Sequence, residues 1–228
     1  MKLIYKGKTK DVYCLGENEV LLKFKDDVTG TDGVFDPGAN TVGLTIEGAG
    51  KSGLKMTKHF FELIEANNIA THYISADLNE VSMIVKQADV LGKGLEVICR
   101  YRAVGSFYRR YAAYCEEAQK LDALVEVTIK DDERGDPVIS EDTLAMLGIL
   151  SNDAYQEIKA LTRKICDLVK SELAKKGLDL YDIKLEFGRN KTTGEIMLID
   201  EISGGNMRVY KDGQYIVPLE LEKYFLGS

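Results

Sequence analysis

The segment from residue 182 to residue 187 alternates ionisable and apolar side chains near the C-terminal end of the chain. In a β-strand this period of two puts Asp182, Lys184 and Glu186 on one face and the apolar residues on the other. On the next predicted strand Asp200 stands among apolar residues, where a buried carboxylate needs a cationic partner. If residue 184 lies opposite residue 200, Asp200 is diagonal to Glu186, a span that a divalent cation bridges. The pattern therefore places ionisable groups where they could hold a divalent cation, in a register that the sequence does not fix.

A second group of charged side chains surrounds a predicted helix start at Gly105 and Ser106. Four arginines lie within residues 100–110: Arg100, Arg102, Arg109 and Arg110. Guanidinium groups, a serine hydroxyl and a helix N-terminus together suit a phosphate monoester. A surface face of salt bridges explains the same composition equally well, so both interpretations stay open.

A third candidate site lies in the N-terminal segment from residue 5 to residue 13, which is typical of a strand, a turn and a strand. Gly7 would let backbone N–H groups approach phosphate oxygens, and Lys8 and Lys10 supply positive charge. Taken alone, a solvated basic turn is at least as good an interpretation. The glycine patterns of P-loops and of dinucleotide-binding βαβ units are absent.

Composition narrows the class of protein. The chain has 228 residues, a formal net charge of −7 and 45% hydrophobic residues, as globular proteins do. This acidic balance argues against a nucleic-acid partner, and the sequence contains no apolar stretch long enough to cross a membrane. Its four widely spaced cysteines favour a reducing compartment, so we predict a cytoplasmic protein. Whether it forms a homo-oligomer stays open.

Hydrophobic periodicity predicts an α+β fold of antiparallel strands with flanking helices. Strands are expected within residues 3–24, 73–90, 95–100, 178–187 and 195–202, and helices over residues 54–68, 106–114 and 152–176. Ser106 is the expected N-cap of the second helix. Seven glycines between residues 30 and 53 indicate a mobile or ligand-contacting loop. We expect two lobes, residues 1–90 and 91–228.

In their order along the chain these segments resemble the phosphoribosylaminoimidazole-succinocarboxamide synthase (SAICAR synthetase) family. The resemblance is carried by the residues at 5–13, Asp32 and Gly33, 96–106, Lys130 with Asp136 and Pro137, 182–188, and Asp200 and Glu201 with Arg208. It implies a two-lobed fold with a nucleotide cleft like those of ATP-grasp proteins and protein kinases. It also implies an ATP- and magnesium-dependent ligase that joins carboxyaminoimidazole ribotide to L-aspartate through an acyl phosphate.

The resemblance also assigns roles to individual residues. ATP would contact Lys8, Thr9 and Lys10 with its phosphates, Lys86 and Val90 with its adenine, and Glu96 with its ribose. Magnesium would be held by Glu186 and Asp200. The ribotide phosphate would be bound by Arg100, Ser106 and Arg208. The reacting groups would be lined by Lys130, Asp136, Asp182 and Lys184.

One departure from the family pattern concerns the turn before Arg208. Family members usually carry Ser-Pro-Asp there, whereas this chain has Ser203, Gly204, Gly205 and Asn206. ATP use is therefore a firmer expectation than the identity of the substrates. We expect a SAICAR synthetase; the alternatives are a diverged paralogue that joins another carboxylate to another amine, and a nucleotide-binding module without activity.

Overall fold

The computed structural model describes residues 1–31, 34–35 and 42–227. Asp32, Gly33 and Gly38, which the sequence analysis singled out, lie outside the described residues. Within those residues the strands are β1 (Lys2–Lys6), β2 (Lys10–Cys14), β3 (Glu19–Phe24), β4 (Asp27–Thr31), β5 (Val34–Phe35), β6 (Val42–Thr45), β7 (Tyr73–Asp77), β8 (Ser82–Lys86), β9 (Ala88–Val90), β10 (Leu95–Arg102), β11 (Lys120–Ile129), β12 (Asp179–Asn190), β13 (Ile196–Ile199), β14 (Met207–Lys211) and β15 (Gln214–Tyr215). The α-helices are α1 (Ala49–Ala66), α2 (Gly105–Tyr111), α3 (Glu141–Met146), α4 (Asn152–Ala174) and α5 (Pro218–Leu226).

Three antiparallel sheets carry these strands. The first has the order β1-β2-β3-β8-β7, and a small one has the order β5-β4-β6. The largest has the order β11-β10-β12-β14-β15, with β13 and β9 pairing further along the long strand β12. The expected α+β class with antiparallel sheets and flanking helices is confirmed. The division into lobes at residue 90 stays a prediction.

The large sheet presents two chemically different faces because its strands alternate. On β12, Ile183, Leu185 and Phe187 are buried in the core, and α4 packs on that side with an apolar stripe that includes Ile165 and Val169. The intervening residues of β12 are the ionisable ones predicted to share the opposite face. Since β12 pairs with four other strands, that face is the platform on which the polar side chains meet.

Helix α1 begins five residues before the predicted start, at Ala49 rather than residue 54. The Gly50 N–H donates to Asp26 Oδ1 at 2.9 Å, which ties the first turn to β4 through the residue before it. A Cβ at Gly50 would lie 2.8 Å from the Lys25 carbonyl oxygen, so the backbones approach too closely for any side chain. The later part of the predicted glycine-rich loop is therefore β6 and a helix start, whereas residues 32–33 and 36–41 lie outside the description.

The bounds of α2 and the register of the C-terminal hairpin also differ from the sequence prediction. Helix α2 has Val104 as its N-cap and ends at Tyr111, so Ser106 is not the cap and the helix does not reach residue 114. In the hairpin, Glu186 pairs with Ile199, so residue 184 is not opposite residue 200 and the register considered above is wrong.

Among the described residues, no helix is both long and apolar enough to cross a membrane.

Candidate active site

Two adjoining cavities contain every site residue predicted from the sequence. The larger, of about 480 Å³, lies between the first sheet, the N-terminus of α1 and the polar face of the large sheet. Its walls include Lys8, Thr9, Lys10, Lys86, Val90, Glu96, Lys130, Lys184, Glu186 and Asp200. The smaller, of about 270 Å³, includes Glu96, Arg100, Ser106, Asp136, Asp182, Lys184 and Arg208. Glu96, Lys184 and Asn206 line both cavities, so the two spaces meet there.

Lys184 lies at the junction of the cavities between two carboxylates. Its Nζ is 2.8 Å from Glu96 Oε1 and 4.0 Å from Glu186 Oε1. Burial alone would lower the pKa of Lys184, but the charges of Glu96 and Glu186 outweigh it and raise the pKa above its ordinary value. Lys184 is therefore a stable cation at neutral pH. Thr128 Oγ1 donates to the second Glu96 oxygen at 3.1 Å and fixes that carboxylate.

Asp200 lies one residue beyond β13 in the left-handed conformation, with φ 66°. Its direct partner is Lys10, whose Nζ is 3.0 Å from Asp200 Oδ1 and also contacts Glu201. Burial would raise the pKa of Asp200, but Lys10, Lys130 and Lys184 together lower it to about 2. The cationic partner predicted for Asp200 is thus Lys10, from β2, rather than Lys184.

Glu186 has an environment different from that of Asp200. Lys130 Nζ contacts Glu186 Oε1 at 2.8 Å. Even so, burial and the charge of Asp200 raise the pKa of the Glu186 carboxyl above its ordinary value. Two partly buried carboxylates that repel one another across a cavity form a donor set that a further cation would stabilise. No group of three or more His, Cys, Asp or Glu side chains suited to a metal occurs in the described part of the chain.

Lys8 and Lys86 stand apart from this cluster. Lys8 Nζ is 2.6 Å from Asp132 Oδ2, in a pair whose two side chains are 37% and 46% exposed. Lys86 Nζ donates to the Thr71 carbonyl at 3.0 Å, and Val90 lies exposed at the rim of the larger cavity. The predicted phosphate and adenine contacts therefore lie on the same cavity, at different positions along its wall.

The smaller cavity is built on a row of charges across the polar face of the large sheet. Arg100 lies directly opposite Asp182 in the β10–β12 register, and Asp182 lies directly opposite Arg208 in the β12–β14 register. Arg100 Nη1 is 2.8 Å and Arg208 Nη1 is 2.9 Å from Asp182 Oδ2. Arg100 Nη2 donates to Ser106 Oγ at 3.0 Å. Both arginines are thus held in place by one buried carboxylate.

Residue type alone does not decide whether a side chain lies on the smaller cavity, as Asp136 and Arg102 show. Asp136 lines the smaller cavity, and its Oδ1 accepts a hydrogen bond from the Asp131 N–H at 2.7 Å. Arg102 points elsewhere: its guanidinium lies over the Tyr181 ring and 3.6 Å from Asp179. One of the four arginines near the helix start therefore does not join the cavity.

His72 and Glu201 line the larger cavity but were not assigned from the sequence. Neither was Glu126, which contacts Arg100 and Arg110 at the smaller cavity. Burial lowers the pKa of His72 to about 3 despite the neighbouring Asp200, so its ring is neutral. The alternation of apolar and polar residues on β11 is a signal that could have placed Glu126 on the face of Thr128.

The Ser203–Asn206 turn is closed by the amide of Asn206. Asn206 Oδ1 accepts from the Ser203 N–H at 2.9 Å, and Nδ2 donates to the Lys184 carbonyl at 3.0 Å and to the Glu201 carbonyl at 2.6 Å. These two donated bonds require an amide. Asn206 therefore does not replace the carboxylate that the family pattern usually has in this turn; it ties the turn to β12.

Comparisons with known proteins agree with this architecture. A family model described as SAICAR synthetase matches residues 3–224. A phosphoribosylaminoimidazole-succinocarboxamide synthase from Clostridium tetani is 63% identical over 226 residues, covering 99% of this chain and 100% of the relative. One from Finegoldia magna is 37% identical over 212 residues, covering 92% and 86%. A solved structure of a SAICAR synthetase (type 2) in complex with ADP has a TM-score of 0.86 at 29% identity, covering 98% of this chain and 97% of that one.

Proposed function

The chain belongs to the SAICAR synthetase family, and from that premise we propose how its two cavities divide the substrates. The protein is a carbon–nitrogen ligase of purine biosynthesis that joins carboxyaminoimidazole ribotide to L-aspartate and converts ATP to ADP and phosphate. We assign ATP to the larger cavity and the ribotide to the smaller one. The ADP bound by the structural relative supports a nucleotide site in this fold.

The observation that carries this division is the shared wall between the cavities. Lys10 and Lys130 line the larger space, whereas Arg100 and Arg208 line the smaller one. Lys184 lines both. In this arrangement the nucleotide phosphates point toward Lys184, and the ribotide phosphate lies on the two arginines. The γ-phosphoryl group and the ribotide carboxylate then meet at Lys184. Such alignment of two bound reactants supplies much of the rate acceleration in phosphoryl transfer.

The chemistry needs charge neutralisation more than covalent protein groups. A carboxylate oxygen of the ribotide attacks the γ-phosphorus, the bond between the β- and γ-phosphoryl groups breaks, and ADP leaves with its electron pair. The aspartate amine then attacks the acyl carbon, loses a proton, and inorganic phosphate leaves. Lys184, held as a cation by Glu96, is positioned to stabilise the charge that develops on the transferring group.

Magnesium fits the Glu186 and Asp200 pair in this proposal. The raised pKa of Glu186, caused by burial and by Asp200, marks a place where added positive charge is favourable. Magnesium in nucleotide sites is commonly bound by one or two carboxylates plus phosphate oxygens, which suits a pair of acids without a third. When bound there, it would neutralise charge on the nucleotide phosphates. Lys10 and Lys130 hold the two carboxylates in place beforehand.

A pair of charge-removing variants tests the division of substrates. We expect Arg208→Gln to raise the KM for the ribotide about tenfold or more and to leave the KM for ATP unchanged, because charge-assisted bonds to a phosphate are strong. Lys10→Gln should do the reverse. Steady-state kinetics with each substrate varied in turn gives both constants, and thermal unfolding checks that each variant folds. Effects on the opposite substrates would overturn the assignment.

The interpretation of the chain as a paralogue with other substrates loses its support. The unusual Ser203–Asn206 turn was the ground for a paralogue with other substrates, yet the Clostridium tetani synthase matches this chain along its whole length. A panel of amines offered in place of L-aspartate, with phosphate release as the readout, completes the test. Turnover with aspartate is expected, and turnover only with another amine would establish the paralogue.

A further inference from the structure

We propose that Glu126 is a positioning residue that fixes Arg100 and Arg110 on the wall of the smaller cavity, and that Arg110 is a further ligand of the ribotide phosphate. This inference rests on the proposed function, since it assigns the smaller cavity to the ribotide. The sequence analysis did not single out Glu126, and it left Arg110 open between a phosphate site and a surface salt-bridge face.

Glu126 is placed beside Arg100 by strand register. Glu126 on β11 pairs directly with Ile98 on β10, so Arg100, two residues further along β10, is its diagonal neighbour on the same face. Arg100 Nε donates to Glu126 Oε2 at 2.6 Å. Glu126 is only 8% exposed and Arg100 only 2%, so water contributes little to either charge.

The second oxygen of Glu126 reaches a different element. Arg110 Nη2, from the last turn of α2, donates to Glu126 Oε1 at 2.7 Å. One buried carboxylate on β11 therefore joins β10 to α2, the helix that also carries Ser106. Because a guanidinium group has five N–H donors and this contact uses one end of it, the bond orients Arg110 without exhausting its capacity to bind an anion. The Arg110 side chain is 32% exposed and lines the smaller cavity.

The complete row alternates in sign across the sheet. Its members, in spatial order, are Arg110, Glu126, Arg100, Asp182 and Arg208. Three guanidinium groups face two carboxylates, so the row carries one net positive charge before a ligand binds. A phosphate monoester carries about −1.5 to −2 charges at neutral pH, which complements this excess. Arg100 lies at the middle of the row and contacts both carboxylates, whereas Arg110 and Arg208 lie at its two ends.

The alternation also explains why Glu126 is needed. Burial of a charge is costly unless the charge is paired, and removal of one partner of a buried pair leaves the other uncompensated. Without Glu126, the one carboxylate among the described residues still paired with Arg100 would be Asp182, which already pairs with Arg208. Arg110 would lose its tie to the sheet and would sample other rotamers.

Steady-state kinetics of Arg110→Gln tests the direct role. We expect the KM for the ribotide to rise about tenfold, with kcat and the KM for ATP within twofold of wild type. Inhibition by ribose 5-phosphate should weaken by a similar factor, whereas inhibition by ribose should not change. Arg102→Gln is the matched control, because it removes an arginine of the same segment that faces Tyr181 and Asp179 instead. Unchanged ribotide KM in Arg110→Gln would overturn the proposal.

The positioning role is tested with Glu126→Gln and Glu126→Asp. Glu126→Gln should raise the ribotide KM at least as much as Arg110→Gln does, and Glu126→Asp, which keeps the charge, should recover part of the loss. A Glu126→Gln variant that folds and keeps the wild-type ribotide KM would overturn this role; should it not fold, Arg110→Gln decides alone. An Arg208→Gln variant with wild-type ribotide KM would instead refute the proposed assignment of the ribotide to the smaller cavity.

Discussion

Arg100 lies directly opposite Asp182 in the antiparallel pair β10–β12, and its Nη1 donates to Asp182 Oδ2 at 2.8 Å. The next even-numbered residues along β12 are Lys184 and Glu186, so one strand carries the anchor of the smaller cavity and the carboxylate of the larger one. Because alternate residues of a strand share a face, the two sites are held at a fixed separation by the backbone. A change to a side chain on this face should therefore affect the binding of one substrate more than that of the other.

Gly105 is expected to be essential for the placement of Arg208. Its φ is +56°, and a Cβ there would lie 2.7 Å from the Arg208 guanidinium carbon. Gly105→Ala should therefore raise the KM for the ribotide about tenfold or more, because it displaces a guanidinium group assigned to the ribotide phosphate. Gly148→Ala is the control, because Gly148 has φ +66° with open space around its Cβ position. It should cost about 1–2 kcal/mol of stability and leave KM unchanged.

Lys184 is the residue at which loss of activity should be greatest. Lys184→Ala should lower kcat by about 100-fold or more, because it removes a preorganised cation from the place where charge develops. Lys184→Arg should retain more activity, since it keeps the cation beside Glu96. Phosphate release measures the loss, and circular dichroism shows whether the fold persists. A folded Lys184→Ala protein with wild-type turnover would refute the assigned centre.

Prediction from sequence succeeded where a pattern is local and failed where it depends on pairing between distant strands. The alternation from Asp182 to Phe187 was enough to place three ionisable residues on one face. The partner of Asp200 was not predictable for two reasons. Lys10 lies on another sheet, and Asp200 itself adopts the left-handed conformation just beyond its strand. Nothing in the local sequence shows that Glu126 is diagonal to Arg100.

Asp200→Asn should weaken the response to magnesium. The substitution removes one of the two carboxylates assigned to the ion, while Asn keeps the side-chain size and Lys10 keeps its contact with Glu201. We expect the magnesium concentration for half-maximal activity to rise about tenfold or more. Binding of manganese, followed by its electron paramagnetic resonance in the presence of ADP, gives a readout that does not depend on turnover. Unaltered binding in the variant would exclude Asp200 as a ligand.

Tyr73 should make stability sensitive to alkaline pH. Burial, together with the charge of Glu62, raises the pKa of its hydroxyl to about 12 from the ordinary 10.0. The unfolded chain therefore loses this proton at lower pH than the folded protein does, so stability is full below pH 10 and falls as the pH rises towards 12. Chemical unfolding from pH 9 upwards should show a shallower decline in Tyr73→Phe than in wild type. Parallel declines in the two proteins would contradict this origin.

Asn206 should not tolerate conversion to the carboxylate common in the family's turn. Its Nδ2 donates to the backbone carbonyls of Lys184 and Glu201, and an ionised Asp at this position would place negative charge against both oxygens. Asn206→Asp should therefore lower the free energy of unfolding by about 1–3 kcal/mol near neutral pH, the usual cost of leaving buried polar groups unsatisfied.

Protonation restores one donor to the new side chain, so the Asn206→Asp variant should regain part of its stability as the pH falls towards 4. Asn206→Ala, which loses the same bonds without adding charge, is the matched control and should show no such recovery relative to wild type. Urea unfolding of the three proteins at several pH values measures the differences. If Asn206→Asp were as stable as wild type at neutral pH, the turn would not depend on the donated amide bonds to β12 and Glu201.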